Sequence, residues 1–193
     1  MRRGFKTQAE RLATEIREKH GCADDEPAPL DAVAQDLGIE ILSADVLVSR
    51  ARLEELQELQ PDAFSAATFS RPSGGKVVVY NPLGTEGRVR SNQAHELAHV
   101  LLDHKVRTIE RVGDLKFLTC DVEQEEEADW LGGCLLLPRE LLLKAAFKGM
   151  SAQSIADTYK TSEPMARFRL NASGVLVQVG RTRAAKARKS SHR

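Results

Sequence analysis

Cysteine is scarce, with only Cys22, Cys120 and Cys134 in 193 residues. An odd number without close spacing argues against a disulfide framework. It fits a reducing compartment, so a cytoplasmic setting is expected. Cys120 and Cys134 are metal ligands by type, but a small buried hydrophobe is the commoner role for either. Net charge is also missing, because 28 basic and 28 acidic residues cancel. No global field therefore draws the chain to nucleic acid or to a membrane surface. No apolar run reaches the roughly 20 residues that span a bilayer. The basic start, Met1-Arg2-Arg3-Gly4-Phe5-Lys6, is followed by no apolar core, so no secretion signal is expected. The rest is ordinary for a globular protein: 41% hydrophobic and 29% charged residues, enough for one domain and a small appendage.

Against this background stands His95-Glu96-Leu97-Ala98-His99, inside a segment from Glu86 to Asp103 that reads as a helix. Residues four apart on a helix lie about 40° apart around the axis, so both imidazoles share a face and can grip one metal ion. Glu96, about 100° round from His95, sits at the edge of that face. It can reach a water on the ion without being a ligand, the arrangement zinc peptidases use. Three fixed letters also occur by chance. The surroundings favour a site, because Ala94, Leu97, Ala98 and Leu101 form an apolar stripe that puts the histidines at the margin of a buried face.

A catalytic metal needs a third protein ligand, and Asp121 to Asp129 offers several carboxylates at the start of a second helix, Val122 to Leu137. Most are expected to be solvated and to favour the helix dipole. Helical phase singles out Glu125, Asp129, Gly132 and Leu136 as one stripe. A glycine inside a helix costs about 1 kcal/mol relative to alanine. Gly132-Gly133 therefore marks a place where another backbone comes close. If the motif helix packs there, Glu125 ligates and Asp129 accepts the free N–H of a ligand histidine. Glu126 and Glu127 are expected to point away, and Glu123 is the alternative ligand.

The remaining chain reads as helices over Phe5–His20, Leu30–Leu37, Leu53–Gln60, Glu140–Phe147, Ser151–Tyr159 and Glu163–Leu170. Strands are expected at Ile39–Leu42, Ala63–Ser70, Lys76–Tyr80 and Val175–Val179, the middle two as a hairpin across Arg71 to Gly75. His104 to Asp121 reads as a mixed loop. Arg181 to Arg193 reads as a basic, disordered tail.

These stretches together resemble the ImmA/IrrE family of bacterial metallo-endopeptidases. Leu30 to Ile39 looks like that family's first helix and strand, and Val78-Val79-Tyr80-Asn81 like its strand ending in Asn. The motif after Arg88-Val89-Arg90 is similar to its active helix. Glu125 to Pro138, ending Leu135-Leu136-Leu137-Pro138, is similar to its ligand helix, and Ile155 to Arg167 to its C-terminal helix pair. Ser91-Asn92-Gln93 and Trp130-Leu131-Gly132-Gly133 depart from the usual letters without touching a proposed ligand.

The resemblance implies an α+β fold: a mainly helical, zincin-like domain with a small mixed β-sheet and a C-terminal helix pair. It implies His95, His99 and Glu125 as zinc ligands and Glu96 as the catalytic residue. Asp129 supports a ligand. Manganese or iron would also suit these donors. The divisions expected are 1–29, a helix and loop; 30–174, the peptidase domain; and 175–193, the tail. By the same resemblance the substrate is a protein, a bacterial helix-turn-helix repressor whose cleavage relieves repression of a mobile element or stress response. His104, Tyr80 and Arg88 are oxyanion donors by type alone. The rival readings are a DNA-binding regulator, built on Ser154 to Arg167 and the basic tail, and an anti-repressor that binds without cutting. Nucleic acid is not expected as the main partner, and no membrane is.

Overall fold

The computed structural model describes residues 1–23, 26–61, 63–71, 74–105, 108–112, 115–119 and 121–190. In chain order the elements are α1 Phe5–Lys19, α2 Leu30–Asp36, β1 Ile39–Ser43, a short 3-10 turn Ala44–Val46, α3 Arg50–Leu59, β2 Ala66–Ser70, β3 Lys76–Tyr80, α4 Glu86–Leu101, β4 Thr108–Val112, β5 Leu115–Thr119, α5 Val122–Leu136, α6 Arg139–Phe147, α7 Ala152–Tyr159, α8 Glu163–Ala172 and α9 Val175–Ser190. The architecture is α+β and mainly helical, with a small mixed sheet.

The sheet runs in the order β1-β3-β2, with β1 parallel and β2 antiparallel to β3. Val77, Val78 and Val79 make the middle of β3 apolar and buried, as a central strand needs. The expected hairpin is therefore present, with Thr68 opposite Val78.

Helix α4 is the axis of the molecule. Thr85 caps it by accepting from the Arg88 amide, and Ala94, Leu97 and Ala98 are fully buried along its inner face. Burying Leu97 alone is worth about 2–3 kcal/mol. On one side of α4, Ala94 and Leu97 join Val78, Leu136, Leu142, Ile155 and Ala166 in the larger core. On the other, Ala98 joins Phe5, Ala9 and Ala13 of α1 with Ala128, Leu131 and Leu135 of α5.

The glycine pair in α5 has two uses. A Cβ on Gly132 would lie 3.1 Å from both the Ala94 oxygen and the His95 nitrogen, so the α4 backbone sits directly against it. A Cβ on Gly133 would lie 2.6 Å from the Arg169 side chain. Arg169 is itself fully buried, and a buried charge must be paired. It donates to the Leu137 carbonyl at 3.2 and 3.1 Å and to Glu10 at 2.6 Å, tying α8 to α1 across the end of α5.

Two expectations fail here. The segment read as a mixed loop contains the antiparallel pair β4–β5, Thr108 opposite Thr119. Its apolar alternation is diluted by Glu110, Arg111 and Lys116, which hid the period. The second failure is the tail. Val175 to Val179 is no strand, and Arg181 onward is no disordered tail as far as Ser190: both belong to α9. Val175 and Val179 are buried while Val177 is exposed, a spacing of four rather than two. The Ala, Lys and Arg that follow are strong helix formers and extend what those two valines anchor. Helix α3 also starts at Arg50, before the expected Leu53.

Candidate metal centre

The close approach of Gly132 to the Ala94–His95 backbone sets α4 and α5 side by side at the motif histidines. His95 and His99 point the same way, with their Nε2 atoms 3.0 Å apart. Glu125 reaches across from α5: Oε2 lies 3.2 Å from His95 Nε2, and Oε1 lies 3.5 Å from His99 Nε2. His95 Nδ1 donates to Asp129 Oδ1 at 2.8 Å, which turns its Nε2 toward the other two side chains. Two imidazole nitrogens and a carboxylate converging this closely call for a cation among them.

A metal ion fits. A tetrahedral ion with bonds of about 2.0–2.1 Å needs donor atoms about 3.3 Å apart, and the distances above bracket that value. Each of the three residues offers an atom within 4.8 Å of the others. Electrostatics agree. His95 and His99 hold the Glu125 carboxyl well below the usual carboxylate range. Burial opposes charge on His95, but the bonds to Asp129 and Glu125 outweigh it and push its pKa up to about 10. The pocket is thus built to keep positive charge in place.

Glu96 lies beside this cluster. Thr68 of β2 donates its hydroxyl to Glu96 Oε2 at 2.6 Å. The carboxylate borders a cleft of about 400 Å³ between β2, α4 and α8, whose walls include Ser65, Ala66, Asn92, Met165 and Phe168. Residues 34–171 match the model of the IrrE N-terminal-like domain, a peptidase family.

The chain belongs to this family.

Comparison with curated proteins and with solved structures gave no match. Membership in the IrrE N-terminal-like family supports a metallopeptidase, which requires a metal ion, and His95, His99 and Glu125 can hold one.

The α7–α8 pair has a structural job beside this site. Ser162 caps α8 and bonds to Ser91 of α4, so the turn between α7 and α8 is fastened to the active helix. A Cβ on Gly87 of α4 would lie 2.1 Å from the Thr161 carbonyl oxygen, which leaves no gap between them.

Five carboxylates on α5 sort clearly. Glu125 and Asp129 face the histidines. Glu123 and Glu126 are exposed. Glu127 points away from the three donors, as expected, but into the protein: it is 3% exposed and gripped by Arg2. Of the oxyanion candidates, Tyr80, Arg88 and His104 are not among the residues lining the cleft. Burial, and then the nearby His99, push His104 below the usual imidazole range. Cys134 is fully buried in the core, where burial raises its thiol, and Cys120 lies outside the described residues. Thr68 escaped sequence reading because a threonine in a strand carries no signal of its own.

Among the described residues, no helix is long and apolar enough to cross a membrane.

Proposed function

We propose that this chain is a zinc-dependent endopeptidase whose substrate is a helix-turn-helix repressor protein. The observation that carries the reading is the convergence of His95, His99 and Glu125 beside the carboxylate of Glu96, on the rim of an open cleft. The repressor as substrate is supported by the resemblance of the motif helix, the ligand helix and the C-terminal helix pair to the ImmA/IrrE peptidases.

His95, His99 and Glu125 hold the metal, and zinc suits two nitrogens and one oxygen, as manganese or iron also would. Bound zinc supplies a Lewis acid for the scissile carbonyl and an acidified water. Glu96 does the proton work: its carboxylate takes the proton of the attacking water and returns it to the leaving amine. Thr68 fixes that carboxylate by donating to one oxygen, leaving the other for the water. Asp129 holds the His95 ring in the tautomer that presents Nε2.

Metal content of purified protein tests the ligands. About one zinc per chain is expected, lost in Glu125→Ala and kept in Glu126→Ala. Glu96→Gln should keep zinc and fold but lose cleavage of a repressor encoded beside this gene. Cleavage by that variant would remove Glu96 from the base role, and a folded wild type that takes up no zinc would end the peptidase reading.

A further inference from the structure

Behind His99, on the side away from the cleft, a row of buried polar side chains plays no part in the chemistry above. His99 Nδ1 lies 3.0 Å from His104 Nδ1. His104 Nε2 lies 3.5 Å from Glu127 Oε2, with the two side chains only 5% and 4% exposed. Glu127 in turn accepts from Arg2 Nε at 3.0 Å, from Arg2 Nη2 at 3.0 Å and from the Arg2 amide at 3.1 Å. His104 Nε2 is buried and makes no well-aligned hydrogen bond, and Glu127 Oε2 is the acceptor it faces. Such a row is costly to bury unless its members serve one another.

The fold builds this row deliberately at the end of α4. The Asp103 amide bonds to the Val100 carbonyl at 3.1 Å and the His104 amide to the His99 carbonyl at 3.0 Å. That is a Schellman ending, with Asp103 at φ 49° in the left-handed position that glycine usually fills. It turns the chain back so that His104 stands over His99.

Proton positions follow from the far end inward. Paired with Arg2, Glu127 is ionised and can only accept, so the His104 nitrogen facing it carries a proton. A neutral His104 then has its lone pair on Nδ1. That atom faces His99 Nδ1, so His99 donates there. His99 is left with a lone pair on Nε2, the atom that faces Glu125 and His95. The opposite arrangement would put a proton on His99 Nε2, inside the donor triangle, and bar it as a ligand.

We propose that His104 is a positioning residue for the metal centre, holding His99 in the ligating tautomer while Glu127, clamped by Arg2, orients His104. The two histidine ligands thus have separate supports, Asp129 for His95 and His104 for His99. The inference rests on the reading of His95, His99 and Glu125 as metal ligands.

Zinc affinity of the full-length chain, measured by competition with a chromophoric chelator, tests it. His104→Phe keeps the ring volume but cannot accept, and should weaken zinc about 10- to 100-fold. His104→Gln offers an amide oxygen to His99 Nδ1–H and should recover most of that loss. The visible spectrum of the cobalt(II) form should shift in His104→Phe and return in His104→Gln, which a general loss of packing would not produce. Glu127→Gln should weaken zinc in the same direction by a smaller factor, and it decides the matter if His104→Phe does not fold. Wild-type affinity in a folded His104→Phe, or in Glu127→Gln in that case, overturns the inference alone. A wild type that binds no zinc overturns the metal-site reading beneath it.

Discussion

Replacing Gly132 with alanine probes the contact on which the metal site depends. The added Cβ would lie 3.1 Å from Ala94 O and His95 N, and 3.2 Å from Ala94 C. Ordinary contacts are about 3.5–4.0 Å, so roughly half an ångström must be found. Helix α4 cannot retreat, because Gly87 already lies against the Thr161 carbonyl and Ser91 is bonded to Thr161 and Ser162. The gap between α4 and α5 must open instead. Alanine gains about 1 kcal/mol of helix propensity, against about 1–3 kcal/mol for overpacking. The net result is a loss of about 0–2 kcal/mol. Gly180→Ala is the control. It lies in the exposed part of α9 with nothing within 4 Å of its added Cβ, and should gain about 1 kcal/mol. Urea midpoints in chelator-containing buffer measure both, free of metal linkage. Because His95 and Glu125 stand on the two helices being parted, zinc affinity should fall in Gly132→Ala and hold in Gly180→Ala. Equal stabilisation of the two variants with unchanged zinc affinity would refute the close approach and the packing argument built on it.

Two further outcomes are expected. Thr68→Val removes the hydroxyl that donates to Glu96, and single-turnover cleavage should slow about tenfold, equivalent to about 1.4 kcal/mol, with zinc content unchanged; loss of zinc would instead make Thr68 part of the metal support. The pairing of His95 with Asp129 and Glu125 lifts its pKa from 6.5 to about 10 on folding. In chelator-treated protein the stability it contributes is full below about pH 6.5 and fades as pH rises through about 10. In zinc-loaded protein the ion replaces the proton and that decline should vanish. Denaturation midpoints across this pH range compare the two forms, and parallel curves would contradict the assignment.

The candidate metal site is legible in sequence because it is built on helices, where spacing fixes direction. His95 and His99, four apart, share a face, and the phase of Glu125, Asp129 and Gly132 chose the facing stripe before any contact was known. The same arithmetic turns Glu127 away from the histidines but does not show that it is buried. It lies two positions beyond Glu125, on the side of α5 that α1 and the residues before it cover. Its partner Arg2 is 125 residues away in the chain, a pairing that no local pattern encodes. The hairpin β4–β5 was hidden by charged residues in its period. Helix α9 was misread for the converse reason: Val-Leu-Val looks β-prone, but a helix needs only Val175 and Val179 to dock.

The helix pair α7–α8 shows why the DNA-reading alternative gains nothing from its likeness to a helix-turn-helix. The likeness rests on features that any tight helix-turn-helix needs, namely a left-handed residue at Lys160 and a serine cap at Ser162. In a DNA reader the first turn of the second helix enters the major groove. Here that turn is already occupied. Ser162 is bonded to Ser91, the Thr161 carbonyl is pressed on Gly87, and Pro164, Met165 and Phe168 form a wall of the cleft beside Glu96. Freeing it for a groove would peel α8 from α4 and dismantle the cleft. The cations of α9 do not compensate. At about 100° per residue, Arg181, Arg183, Lys186, Arg188 and Lys189 spread over roughly 220° of the axis instead of lining one face. The first turn of α8 is thus built into the wall of the cleft beside Glu96.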